Sequence, residues 1–229
     1  IARQFPNYII STLAYNQSSV PSKQTKPEKN VEIMFCLTYT DKIFSLEASK
    51  QNTSVVNLNL LSQWQKQTST IFVWDYIVNY NHSLAPFPNL QTLQPNIICF
   101  KNRKIDAVFE EAIGTQKGEM SELKSYLVAK LLWSPNIDIE STTNDFLKNY
   151  YGPGWLQIKN YLNLLKSEAI KSNVLMNEYS NPLKFKETIF SEKNILQYKS
   201  FLDNALKYGE NNTYIKNRIL QESLSIDYV

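Results

Sequence analysis

The stretch Thr70-Ile71-Phe72-Val73-Trp74-Asp75 decides the fold class. It is short, rich in β-branched and aromatic residues, and apolar at odd and even positions until its final carboxylate. A strand with one wet face alternates apolar and polar residues. A run that is apolar on both faces fits a strand buried between layers, as in parallel sheets flanked by helices. Similar runs occupy residues 8–15, 31–37 and 105–110. Helical stretches alternate with them: residues 56–66, with Leu58, Leu61 and Trp64 on one side, then 90–102, then 121–133, with Leu123, Tyr126, Leu127 and Leu131 at helical spacing. Pro95 is expected at a helix start or a kink, and Ser121 is expected to cap the helix at 121–133. Pro86 and Pro88 mark one loop, and Gly114 and Gly118 mark another. Four strand–helix units amount to half of a (β/α)8 TIM-type barrel, which takes ~250 residues when complete. A small open α/β sheet is the alternative.

The pattern changes after Ser134-Pro135, where β-prone runs stop. A helix over 142–150 ends at Gly152-Pro153-Gly154. Apolar stripes follow at Trp155, Ile158, Tyr161, Leu162 and Leu165, and at Ile195, Tyr198, Phe201, Leu202 and Leu206. Asn181-Pro182 separates the two stripes. A turn at Gly209-Glu210-Asn211-Asn212 leads to a last helix over 214–224. The expected organisation is therefore an α/β half-barrel over 1–135, carrying strands five to eight, and an all-α helical domain over 136–229.

Composition narrows the function. The net charge is only +3 and the cations are spread along the chain, so nucleic acid is not the expected partner. No apolar run approaches the ~20 residues of a membrane span. The single histidine excludes a His-rich metal site. There is no Gly-rich phosphate loop, and neither metal nor cofactor is expected. The opening Ile1-Ala2-Arg3-Gln4-Phe5-Pro6 is not a signal peptide. It also lacks an initiator Met, so the chain is expected to begin after processing or inside a longer protein. Cys36 and Cys99 each lie in apolar stretches and are expected to be buried thiols. Fourteen tyrosines and four tryptophans suit either an aromatic core or stacking against sugar rings.

In parallel α/β barrels function collects at the C-terminal ends of the strands. Those ends carry Tyr15 and Asn16, Tyr39 and Asp41, Asp75 and Tyr76, and Glu110 and Glu111. Carboxylates, amides and phenols without thiols or imidazoles are the set that glycoside hydrolysis uses. Glu110 and Asp75 are the catalytic candidates. Tyr15, Trp74, Tyr76, Asn79, His82 and Glu111 are the substrate-binding candidates, with Tyr80 joining Trp74 and Tyr76 in a stacking wall. Glu110 and Glu111 are adjacent and face opposite ways, so only one of them points into a barrel.

Seven segments occur in a telling order: residues 8–15, Val73-Trp74-Asp75-Tyr76, Pro86-Phe87-Pro88-Asn89, Leu93-Gln94-Pro95-Asn96, Val108-Phe109-Glu110, residues 129–135, and Phe146-Leu147 with Tyr150-Tyr151-Gly152-Pro153. Together, over residues 5–165, they resemble a bacterial family first catalogued as a domain of unknown function. That family is associated with glycoside hydrolases that cut complex N-glycans as endo-β-N-acetylglucosaminidases. The resemblance implies a glycosidase-type barrel, distantly related to the hexosaminidase and α-glucuronidase barrels. It also implies that four strands precede residue 1, with much of the acid/base machinery at the end of the fourth. An oligosaccharide or glycan partner and an extracytoplasmic location are implied as well. Two departures stand out. Thr38-Tyr39-Thr40 replaces a segment in which the family commonly has a Glu, and Phe109-Glu110-Glu111-Ala112 replaces Phe-Glu-Gln-Gly.

The leading expectation is a glycoside hydrolase-like protein acting on amino-sugar-containing glycans, with only part of the active site in this chain. One alternative is non-catalytic glycan binding. Another is a structural fragment that pairs with a second copy, or with a missing N-terminal half, through the open edge at 8–15.

Overall fold

The computed structural model describes residues 1–112, 118–209 and 211–229. Gly114 and Glu210, named above, lie outside the described residues. Four strands form one parallel sheet in sequence order: β1 (Ile10–Ala14), β2 (Val31–Cys36), β3 (Ile71–Tyr76) and β4 (Ala107–Glu111). Helix α1 (Asn52–Trp64) connects β2 to β3, and α2 (Leu90–Asn102) connects β3 to β4. Then come α3 (Ser121–Trp133), α4 (Ile139–Tyr151), α5 (Trp155–Ser172), α6 (Glu192–Gly209) and α7 (Thr213–Asp227).

The sheet presents two unlike faces. Ala14, Ile33, Phe35, Ile71 and Val73 pack with Leu61 and Trp64 of α1 and Phe100 of α2. The alternate residues form the other face, where Leu13 and Phe109 keep 46% and 43% of their surface exposed. The doubly apolar strands therefore carry helices on only one side among the described residues. The central strands β2 and β3 hold the registers Ile33↔Ile71 and Cys36↔Trp74.

A larger core joins the strand loops to the helices. Ile77, Val78, Phe87, Leu93 and Ile97 share it with Leu123, Leu127, Leu147, Tyr161, Tyr198, Leu202 and Ile219. This core runs continuously across residue 135, so the helices from α4 onward build directly on the α/β part. Truncating a fully buried aromatic such as Tyr198 to Ala costs roughly 3–5 kcal/mol by the usual scale for large-to-small core changes.

Local signals explain the differences from expectation. Helix α4 begins at Ile139, three residues early, because the Asp138 carboxylate accepts the Ser141 N–H at 2.9 Å and caps it. Ser121 does not cap α3. Its Oγ donates to Glu122, and the cap position falls to Met120, whose φ of 48° is left-handed and whose N–H is taken by Glu222. Pro95 lies inside α2 rather than at its start. Gly154 has a packing reason. A Cβ there would come 2.7 Å from the Ala205 carbonyl oxygen, so the start of α5 approaches α6 as only glycine allows. No helix among the described residues is long and apolar enough to cross a membrane.

Candidate functional site

Strand alternation divides the C-terminal ends of the strands into two sites. On the helix-free face, Leu13, Cys36, Trp74, Tyr76 and Glu111 fall on one side of the pleat. With Tyr15, Tyr80 and Tyr179 they line a cavity of about 310 Å³. Glu111 is part of this lining. Trp74 Nε1 donates to Oε2 and the Tyr80 hydroxyl donates to Oε1, each at 2.5 Å. Both carboxylate oxygens are thus oriented by aromatic donors. Trp74 stacks near Tyr76 with ring centroids 6.4 Å apart and planes 28° apart. Tyr76 meets Tyr80 edge-on at 6.3 Å. Such a wall offers apolar ring faces for stacking and a carboxylate with phenols for hydroxyl and amide groups.

The other face carries a charge cluster. Lys42 Nζ lies 2.6 Å from Asp75 Oδ1, and both side chains are buried. Glu110 stands opposite Asp75 in the β3–β4 register. Glu178, from the segment after α5, reaches in with one carboxylate oxygen on the Tyr39 N–H at 2.6 Å. Glu110 Oε2 and Glu178 Oε2 are shielded and have no hydrogen-bond partner. Burial opposes the charge on Lys42, but Asp75, Glu178 and Glu110 outweigh it and raise its pKa. Glu110 is pushed well above the usual carboxylate range by burial and then by Asp75, with Lys42 pulling the other way. Burial likewise raises Glu178, partly offset by Lys42. The Lys42 ammonium is thus bonded to Asp75, and it favours the charged forms of Glu110 and Glu178. Among the described residues no group of three or more His, Cys, Asp or Glu is arranged to hold a metal ion.

The expected site residues are distributed as follows. Tyr15, Trp74, Tyr76 and Glu111 come together in the aromatic cavity. Asp75 and Glu110, the catalytic candidates, sit behind it in the Lys42 cluster. Asn79 organises its own loop: its Oδ1 accepts the N–H groups of Asn81 and His82, and its Nδ2 donates to the Ser180 carbonyl at 2.7 Å. His82 Nδ1 lies 2.9 Å from the Tyr228 hydroxyl near the end of the chain. Neither Asn79 nor His82 lines the aromatic cavity. Cys36 and Cys99 are free and buried. Cys36 also lines the cavity, with its thiol pushed up to about 11 by burial and then by Glu111. A thiol held neutral is a wall, not a nucleophile.

Three residues of these sites carried no local signal. Lys42 lies in a polar loop, and Glu178 and Tyr179 lie between two helical stripes. Only the folded chain brings them to the strand ends. A second cleft of about 410 Å³ opens between Phe87, α3, α4 and α5. Its floor is apolar, and several of its polar groups are already paired, Lys159 with Glu140 at 3.1 Å and Gln91 with the Ile43 and Pro88 carbonyls.

The model of the family described as "Domain of unknown function (DUF4838)" matches residues 1–163. The chain belongs to this family. The match takes in all four strands and helices α1 to α4, and it ends within α5. Glu111 and most of the aromatic cavity fall inside the family region, whereas Glu178 and Tyr179 fall outside it. No curated protein and no solved structure matches the chain.

Proposed function

We propose that the chain is glycoside hydrolase-like and that its aromatic cavity binds a ring of an amino-sugar-containing glycan. The observation that carries this reading is Glu111 set among Trp74, Tyr76, Tyr80 and Tyr15 at the carboxyl ends of parallel strands. Ligand sites of parallel α/β folds collect at those ends. The same reading treats the sheet as half of a TIM-type barrel wall. Its helix-free face, with Leu13 and Phe109 exposed, then corresponds to the barrel interior.

Among the described residues Glu111 is the one carboxylate lining the cavity. Glycoside hydrolysis generally uses two, one to protonate the leaving oxygen and one to attack or direct attack. In this reading Glu111 fixes sugar hydroxyl or acetamido groups, and a second group completes any hydrolytic site. That group comes from another part of the protein or from the substrate's own acetamido oxygen. A non-catalytic glycan-binding role is the second reading. It is favoured by the placement of Asp75 and Glu110 on the far side of the sheet, where Asp75 is paired with Lys42 and burial pushes the Glu110 pKa up.

The test is a titration of the chain with N,N′-diacetylchitobiose, followed by tryptophan fluorescence. Trp74 lies in the cavity, so saturable quenching that disappears in Trp74→Phe is expected. A flat titration with the wild-type chain overturns the proposal. Incubating a complex N-glycan with the longest available form of the protein separates the two readings: released disaccharide or glycan favours hydrolysis, and binding without release favours the second reading.

A further inference from the structure

The segment between α5 and α6 enters the cavity from outside the family-matched region, and its anchoring is unusually complete. Lys42 N–H donates to the Met176 carbonyl at 2.8 Å, and Tyr80 N–H donates to the Glu178 carbonyl at 2.6 Å. Tyr39 N–H donates to Glu178 Oε1 at 2.6 Å, and Asn79 Nδ2 donates to the Ser180 carbonyl at 2.7 Å. Met176 and Glu178 are fully buried. The segment is therefore fastened to the loop after β2 and to the loop after β3. Within it, the Asn177 side chain accepts the Tyr179 N–H at 3.0 Å and the Ser180 hydroxyl at 3.2 Å, forming a turn that presents Tyr179.

That turn sets Tyr179 between two other exposed phenols. Its ring centroid lies 5.3 Å from that of Tyr39 and 6.1 Å from that of Tyr80. Tyr15, next to the end of β1, lines the same cavity as Tyr179. Tyr179 thus lines the cavity with Tyr15 and Tyr80, beside Glu111 and Trp74.

We propose that Tyr179 is a specificity-determining residue of this cavity, delivered by residues 174–181 and positioned by Glu178. The inference rests on the glycan-binding reading and deepens it. The strand ends supply the carboxylate and one aromatic wall. The segment after α5 supplies the remaining wall and so sets which sugar ring fits. Ligand choice is then separable from the family region, because changing this segment alters the cavity while leaving Trp74, Tyr76 and Glu111 in place. Glu178 is a positioning residue: its side chain holds Tyr39, whose φ of 59° is left-handed, and its carbonyl holds Tyr80.

The experiment compares wild type, Tyr179→Phe, Tyr179→Leu and Tyr179→Ala in the full chain. Each is titrated with N,N′-diacetylchitobiose and with cellobiose, and thermal melting verifies folding. Tyr179→Ala and Tyr179→Leu are expected to weaken diacetylchitobiose binding about tenfold, the scale of one aromatic contact, and to change the ratio between the two disaccharides. Tyr179→Phe, which keeps the ring, is expected to stay within about threefold of wild type. Glu178→Gln is expected to shift the same ratio without touching the sugar. Unchanged affinity and ratio in folded Tyr179→Leu overturns the inference and leaves the glycan reading standing. A wild-type chain that binds neither disaccharide overturns both.

Discussion

The two sides of the sheet at its carboxyl end make opposite uses of neighbouring residues. Tyr76 and Glu111 face a cavity, and Asp75 and Glu110, one residue earlier on each strand, face the Lys42 cluster. On the cavity side the polar groups are held by aromatic donors and remain open to a ligand. On the cluster side the groups are buried, Asp75 is paired with the Lys42 ammonium, and Glu110 and Glu178 each keep one oxygen without a partner. A carboxylate at a strand end therefore has two possible roles, and the pleat selects between them. The difference is energetic as well as geometric. A buried ionic cluster punishes the loss of its central cation, whereas a half-open carboxylate is replaceable at small cost to the fold.

The largest expected effect breaks the cluster side. Lys42→Met leaves Asp75, Glu110 and Glu178 without their shared cation and is expected to cost about 3–5 kcal/mol, seen as a much lower melting temperature or as loss of folded protein. A melting temperature within a degree or two of wild type contradicts the assignment of Lys42 as the hub. Next in size is a pH effect. The raised pKa of Glu110 means that the native state keeps a proton that the unfolded chain has released. Its stabilising contribution is full below the ordinary carboxylate range and is lost as pH rises through the raised value. Glu222, in the helical core, behaves alike, pushed up to about 8 by burial and then by Glu119. Denaturant unfolding is therefore expected to show stability declining from about pH 4.5 to 8. Glu222→Gln flattens the decline by about 2–4 kcal/mol, and Glu110→Gln in that background flattens it further. A profile unchanged by both substitutions contradicts the burial argument.

The smallest expected effect lies on the cavity side. Trp74→Phe removes one donor to Glu111 and is expected to cost about 1 kcal/mol of stability. A loss of several kcal/mol there means that the cavity wall is core rather than site.

Much of the fold was legible in the sequence because apolar runs and helical stripes are local. The four strands fall within the runs at 8–15, 31–37, 70–75 and 105–110 or within two residues of them, and α2 and α3 match their stripes end to end. Helix α1 starts at Asn52 rather than 56, and α4 starts early, because polar starts such as Asp138 do not register as periodicity. The site was legible only in part. Tyr15, Trp74, Tyr76 and Glu111 stand where strand ends should put them. That Glu110 and Glu111 diverge follows from the pleat, but which of them meets the cavity depends on which face the helices cover. That is settled by α1 and α2 packing over Val73 and Phe35. Lys42, Glu178 and Tyr179 reach their positions through contacts between distant parts of the chain, such as the one between Tyr39 and Glu178, 139 residues apart. No local pattern announces a contact of that range.

The adjacent glutamates set the two faces of the sheet against each other in one comparison. Glu110→Gln and Glu111→Gln are titrated side by side with N,N′-diacetylchitobiose at pH 7, with wild type as the reference. Glu111→Gln is expected to weaken binding about tenfold while its melting temperature stays near wild type. Glu110→Gln is predicted to bind within about twofold of wild type, its effect appearing instead in the pH dependence of stability. The reverse result, with binding lost in Glu110→Gln and kept in Glu111→Gln, would contradict the division of the strand ends into a cavity face and a charge-cluster face.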